Sequence, residues 1–264
     1  MSKTQNPPSI CFVCDNALRY EQAQTFAEQQ KLDLLKDKDS IHDLQLIFAE
    51  DHIELYDRQL NTSIYVDFVH GALAHRQQFG GGRGQAIAKA IGLKQGKNPN
   101  VLDVTAGLAR DAYILATLGC RMTLVEKSPI LCQLILDGIN RGLNHEHSAH
   151  VLTDSFELHQ QDAIDYLKNM TKDQYPDVVY LDPMFPERKK SALVKKDMQI
   201  LQRLLGKDEN NAMLLESALR YARERVVVKR PAHAPFLADK KPAASIHSKK
   251  TRYDIYLITT SATH

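Results

Sequence analysis

From Val101 to Lys229 the chain alternates short apolar runs with longer amphipathic ones, and this alternation limits the possible folds more than any other feature. VLDVTA (101–106), RMTLVE (121–126), FELHQQ (156–161), DVVYLD (177–182) and RVVVK (225–229) read as strands. The stretches 110–118, 129–142, 163–170 and 197–205 read as helices, with Gly119 as a stop signal and Ser128-Pro129 as an N-cap and first-turn proline. YDIYLITT (253–260) reads as a last, long strand. Strands alternating with helices predict an α/β fold, a doubly wound parallel sheet covered on both faces. Ligands of such sheets bind beyond the carboxyl ends of the strands, so the residues there are the candidates.

The first 80 residues read as a small α/β subdomain ahead of a larger domain spanning 81–264. Its expected elements are a strand at 10–14, a helix at 20–35, a hairpin of 44–49 and 53–56 around Glu50-Asp51, and a strand at 64–68. The run Gly80-Gly81-Gly82-Arg83-Gly84 lacks the GKS/T ending of a phosphate-binding P-loop; ahead of a helix at 85–91 it is expected to fold over the cofactor pocket as a lid. Cys11 and Cys14 form a CxxC inside an apolar strand with no second pair to complete a metal shell, so a structural role is expected. His145, His147 and His150 do not fit the HExxH zinc pattern and read as a solvated loop, so no metal is assigned. No apolar run approaches the roughly 20 residues that cross a membrane, and MSKTQNPPS lacks the features of a secretory signal. A cytoplasmic protein is expected, with a monomer favoured.

The first strand of the larger domain runs into Asp103-Val104-Thr105-Ala106-Gly107-Leu108-Ala109-Arg110-Asp111. One glycine at this turn lets a ligand approach the backbone next to a helix amino end. A dinucleotide pyrophosphate needs several such approaches, so the single Gly107 disfavours NAD and suits S-adenosylmethionine, which carries no phosphate. Glu126 ends the second strand nineteen residues after Gly107, where an acid can accept from both ribose hydroxyls of an adenosine. Lys127 follows, contributing backbone and packing. Gln161 and Asp162 end the third strand, placed to accept from an adenine amino group.

After the fourth strand come Asp182-Pro183-Met184-Phe185-Pro186, two prolines flanking an aromatic. This rigid turn resembles the D/N-P-P-F/Y/W loop of amino-group methyltransferases, with Met184 in place of the second proline. An exocyclic base amine has its lone pair delocalised into the ring and is a poor nucleophile. Asp182 accepting from its N–H bonds would localise that lone pair and aim it at a methyl donor. Phe185 would stack on the extruded base. Five basic residues follow within 187–196, and Lys229-Arg230, Lys240-Lys241, Lys249-Lys250 and Arg252 add further charge that is expected to converge on one rim and meet polynucleotide phosphates. Net charge is only +2, so this distribution matters more than the total.

VLDVTAGLARDA, GGGRG, VVYLDPMFP followed by KKSALVKK, RVVVKRP and TRYDIYL together resemble the ribosomal RNA small subunit methyltransferase J family, over roughly residues 64 to 260. The resemblance implies a Rossmann-like class I methyltransferase sheet and transfer of a methyl group from S-adenosylmethionine to N2 of a guanosine near the 3′ end of small-subunit rRNA. It implies cofactor contacts at Arg110, Asp111, Glu126, Lys127, Gln161, Asp162 and Asp182, with Asp182, Pro183 and Phe185 forming the catalytic turn. The partner would be small-subunit RNA or the assembled small subunit. Two other readings stay open at this point: an adenine-N6 methyltransferase acting on DNA or RNA, and a non-catalytic RNA-binding or assembly factor with the same fold.

Overall fold

The computed structural model describes residues 7–36, 41–70, 82–184, 196–206 and 210–259. The chain forms two compact units: Met1–Val66 with Pro129–Arg141 and Pro186–Lys207, and Asp67–Ser128 with Gly142–Phe185 and Asp208–His264. The boundary expected at residues 80 and 81 lies outside the described residues.

The first unit is built on β1 (Ile10–Val13), β2 (Leu34–Leu35), β3 (Leu44–Phe48), β4 (Ile53–Asp57) and β5 (Thr62–Ile64), in the order β2-β1-β3-β4-β5. β3 is buried along its whole length, and the rings of Phe12 and Phe26 stack beside it at 5.1 Å. Cys11 and Cys14 are buried thiols in this core, as their apolar run predicts. The helix expected over 20–35 stops at Gln30, because Lys31 takes the left-handed conformation at φ 55°. The chain then turns so that Leu34 and Leu35 pair in parallel with Phe12 and Val13, a tertiary gain that overrides helical periodicity. The strand expected at 64–68 lies instead at Thr62–Ile64, while Val66 and Phe68 are buried outside any strand.

Carboxylates attach the two later segments to this unit. Asp137 accepts from Arg19 Nη1 at 2.8 Å, from the backbone N–H of Ile53 at 3.0 Å and from Arg141 Nε at 2.8 Å. The fully buried Asp57 accepts from Arg203 Nη1 at 2.9 Å. Gly138 lies so close to Val66 that a Cβ would come within 2.5 Å of its Cγ1. A side chain there would force the backbones apart.

The second unit carries β6 (Asn100–Asp103), β7 (Arg121–Glu126), β8 (Phe156–Gln160), β9 (Val178–Leu181), β10 (Arg225–Pro231), β11 (Ala244–His247) and β12 (Thr251–Leu257). The sheet order is β11-β12-β10-β9-β6-β7-β8, with β12 antiparallel to β10 and β6, β7, β8, β9 and β10 parallel to one another. The order reverses between β6 and β9, so the crevice for a ligand opens at the carboxyl ends of those two strands. On one face of the sheet, Leu102, Val179, Val226 and Val228 pack with Leu214, Leu215 and Ala218 of the helix Asn211–Tyr221. That helix and β11 escape a sequence reading. HEHSAH is likewise not a loop: Glu146–Ser155 is a helix, fixed by buried Ser148, Val151 and Leu152, with Ser148 Oγ donating to Gly142 O at 2.7 Å.

Candidate active site

The carboxyl end of β6 is Asp103, buried at 3% exposure. It accepts from the backbone N–H of Thr105 at 3.0 Å and from Thr105 Oγ1 at 3.3 Å. Burial pushes its carboxyl up to about 7; Asp111 and Asp182 add to the rise, while the Thr105 bonds oppose it. Thr105 Oγ1 in turn accepts from the backbone N–H of Asp182 at 2.6 Å, tying the first loop to the residue that follows β9.

Gly107 has φ +57°, and a Cβ there would meet only Thr105 O, at 3.8 Å. The backbone is therefore open to a ligand at the turn, as the lone glycine predicts. Glu126, at the end of β7, is 7% exposed and accepts from Gly107 N at 3.0 Å and from Ser128 N at 2.8 Å. Burial raises its carboxyl above the ordinary range, against the lowering effect of those bonds. A carboxylate can accept about four hydrogen bonds, so an acid in this place suits a nucleoside diol. The open glycine turn and the acid behind it, without a run of glycines, fit S-adenosylmethionine better than a pyrophosphate cofactor.

The other acids cluster around one lysine. Lys229 Nζ donates to Asp111 Oδ2 at 2.7 Å and to Asp182 Oδ2 at 2.8 Å, and Tyr180 Oη donates to Asp111 Oδ2 at 2.8 Å. Burial works against the charge of Lys229, but Asp182 and Asp111 outweigh it and hold the ammonium above the ordinary lysine range. Asp182 is the open member of the group, with a side chain 42% exposed; desolvation and the neighbouring Asp111 raise its carboxyl, and Lys229 acts against that rise.

Of the residues singled out in the sequence, Asp111, Glu126 and Asp182 gather at adjoining strand ends. Pro183 is buried, and Met184 is half-buried. Phe185, Pro186 and the run 187–195, with Arg188, Lys189, Lys190 and Lys195, lie outside the described residues, as do Gly80 and Gly81, while Lys196 opens the helix Lys196–Leu205. Arg110 opens the helix Arg110–Thr117 and, like Lys127, is exposed. Gln161 N donates to Glu126 O at 3.1 Å, which anchors the loop after β8 to the end of β7. Asp162 caps the helix Ala163–Asn169, accepting from Ile164 N at 2.9 Å and Asp165 N at 3.3 Å, so one of its oxygens is a helix cap. A cleft of about 470 Å³ is lined by Asn100 and Arg121 at the starts of β6 and β7, by His159 on β8 and by Gln161 after it, and not by Asp103, Asp111, Glu126 or Asp182.

Sequence reasoning misses Tyr180 and misreads Lys229. A tyrosine inside a buried run such as DVVYLD needs a partner for its hydroxyl, and that signal is present. The sequence offers Lys229, Arg230 and Arg252 to phosphates; Lys229 is instead bound to two carboxylates, and Arg230 and Arg252 are 5% and 7% exposed. Lys240-Lys241 departs from the expected rim as well. It precedes β11, which starts opposite Ile255, and Lys240 O accepts from Tyr256 Oη at 2.8 Å, near the start of β10.

The family described as "Putative SAM-dependent methyltransferase" matches residues 26–258. A protein of Nitrosococcus oceani named ribosomal RNA small subunit methyltransferase J is 50% identical over 214 residues, covering 81% of this chain and 84% of that protein. A protein of the same name from Photobacterium profundum is 43% identical over 251 residues, 94% of this chain and 97% of its own length. Among solved structures, a SAM-dependent methyltransferase from Neisseria gonorrhoeae superposes with a TM-score of 0.74 at 30% identity, covering 96% of this chain and 97% of that one. With this sheet order, this glycine turn and acid, and relatives matched over most of both chains, the chain belongs to the ribosomal RNA small subunit methyltransferase J family.

Proposed function

We propose that the chain methylates the exocyclic N2 of a guanosine in small-subunit ribosomal RNA, free or within the assembled small subunit, using S-adenosylmethionine. The observation that carries this reading is Asp182, held at the end of β9 by Lys229 beside the Gly107–Glu126 turn. The names of the relatives support ribosomal RNA as the substrate class, and the family resemblance supports guanine N2 over adenine N6.

Bound S-adenosylmethionine supplies the electrophilic methyl group. Glu126 holds the ribose, and the open backbone at Gly107 admits the cofactor; Arg110, Asp111, Lys127, Gln161 and Asp162 complete its surroundings. Asp182 accepts a hydrogen bond from the target amine and aims the nitrogen lone pair. Lys229 favours the charged form of Asp182 and fixes one of its oxygens, so Asp182 serves as the orienter of the amine rather than as its base. The amine proton passes to water. Pro183 stiffens the turn, and Phe185 stacks on the base. We place the enzyme in the cytoplasm as a monomer.

The test is transfer of a tritiated methyl group to small-subunit RNA and particles that lack the modification, followed by nucleoside analysis. Labelled N2-methylguanosine is the expected product. Labelled N6-methyladenosine would replace the base assignment, and cofactor binding without any transfer would turn the reading toward a binding or assembly factor.

A further inference from the structure

The two arginines that the sequence offers to phosphates instead build the surface around them. Arg252 forms a two-pronged pair with Asp254, Nε to Oδ1 at 2.7 Å and Nη2 to Oδ2 at 2.9 Å, and Asp254 is fully buried. The same guanidinium donates to Ala232 O at 3.1 Å and Ala234 O at 3.0 Å, while Arg230 Nη2 donates to Pro235 O at 3.4 Å. Three carbonyls of the loop after β10 are thus held from below by inward-facing cations. Ala232 N donates to Lys250 O at 3.1 Å, and Ser248 N to Thr251 O at 2.7 Å, so the β11–β12 turn is fastened to the same loop.

This rigid base carries an unusual face. Phe236 is 36% exposed, with the Arg252 guanidinium 4.9 Å from its ring centroid. His247, which pairs with Arg252, and Lys249 and Lys250 in the turn after it are exposed. The strand register places this face. Leu181 is level with Val228, and Pro231 with Thr251, so the turn lies on the rim that carries Asp182. β12 is two strands from β9, roughly 10 Å along that rim.

We propose that Phe236, Lys249 and Lys250 form a platform for single-stranded RNA flanking the modified nucleotide, with a base stacked on Phe236 and phosphates on the two lysines. The proposal rests on RNA being the substrate. A base-extruding enzyme must hold the strand on either side of its target, and an aromatic ring backed by a cation is suited to stack any base. A bland role exists for the lysines alone, since a charged turn at the end of an edge strand such as β11 deters pairing with other chains. That role predicts no effect on RNA binding, and it gives Phe236 no task.

The experiment measures binding of a fluorescent single-stranded fragment of small-subunit RNA to the full chain by anisotropy across a salt series, alongside cofactor affinity and thermal melting. Phe236→Ala should weaken RNA binding roughly tenfold, and Phe236→Trp should preserve it. Lys249→Ala with Lys250→Ala should make the log–log salt slope shallower by roughly 1.4. Cofactor affinity and melting should stay at parental values. Unchanged RNA affinity and salt slope in these folded variants would overturn the platform. Because binding is read without turnover, a parent that binds RNA through this face but transfers no methyl group would contradict the catalytic reading alone.

Discussion

Lys229 Nζ lies 2.7 Å from Asp111 Oδ2 and 2.8 Å from Asp182 Oδ2, so one ammonium joins the helix after β6 to the turn after β9. Three strand ends meet in this contact, because Lys229 itself lies near the end of β10. Removing the ammonium leaves Asp111 and Asp182 facing each other, and mutual repulsion would swing the exposed Asp182 away. A displacement of about 1 Å at a reacting group costs on the order of 100-fold in rate. Lys229→Met is therefore expected to lower kcat by about that factor while changing cofactor affinity by less than about tenfold, with Lys229→Arg recovering part of the rate. Single-turnover rates and calorimetric cofactor binding check this; a Lys229→Met enzyme at full kcat would show that Asp182 needs no support.

Asp182 has its own prediction. If it grips the amine through hydrogen bonds, Asp182→Asn keeps an accepting oxygen and Asp182→Ala does not. The loss of one oriented acceptor is worth about 100- to 1000-fold in kcat. Asp182→Ala should fall in that range, with Asp182→Asn between it and the parent. A general base would behave differently: both variants would lose activity equally, and the parental rate would rise with pH as the carboxyl ionised. Parallel pH–rate profiles for the parent and Asp182→Asn would agree with orientation.

Much of this site is legible in the sequence alone. The spacing from Gly107 to Glu126 is a chain-local signal, since a strand-turn-helix-strand unit fixes it, and the structure closes it with the 3.0 Å bond between them. Asp182 is legible because prolines punctuate its turn. Lys229 is not, because a basic residue at a strand end looks alike in sequence whether it faces solvent or two acids; only the β9–β10 register brings it to Asp182. The same limit hides the buried pairing of Arg252 with Asp254, two residues apart on one strand. Local pattern also fails at Glu146–Ser155, where three histidines suggest polarity but Val151 and Leu152 supply a buried helical face.

Asp137 carries a stability prediction for the first unit. Its carboxylate is 5% exposed and serves two arginines and the backbone N–H of Ile53. Asp137→Ala strands these donors and should cost about 3 kcal/mol, the low end for breaking a buried pair, because Arg19 and Arg141 keep some contact with water. Urea unfolding of the variant against the parent measures the loss. A change below about 0.5 kcal/mol would mean that solvent replaces the carboxylate without penalty.

Asp103 predicts how stability responds to pH. Its carboxyl is held up to about 7 in the fold, against an ordinary value of 3.8. The folded state therefore favours the protonated form. The stabilisation this gives is fully present below the unfolded value and is lost as pH rises through about 7. A gap of this size corresponds to roughly 4 kcal/mol, since each pKa unit is worth about 1.4 kcal/mol. Asp103→Asn keeps an oxygen to accept from Thr105 and removes the ionisation. The variant should unfold with a flatter pH dependence than the parent between about pH 4 and 8, and should gain on it by roughly 2–4 kcal/mol toward the alkaline end. Urea titrations of both proteins without cofactor, compared as a difference at each pH, isolate this group from Glu126, which is also raised but common to both. Identical slopes would mean that Asp103 is already ionised in the folded protein at low pH, and that Thr105 holds it as a charged acceptor.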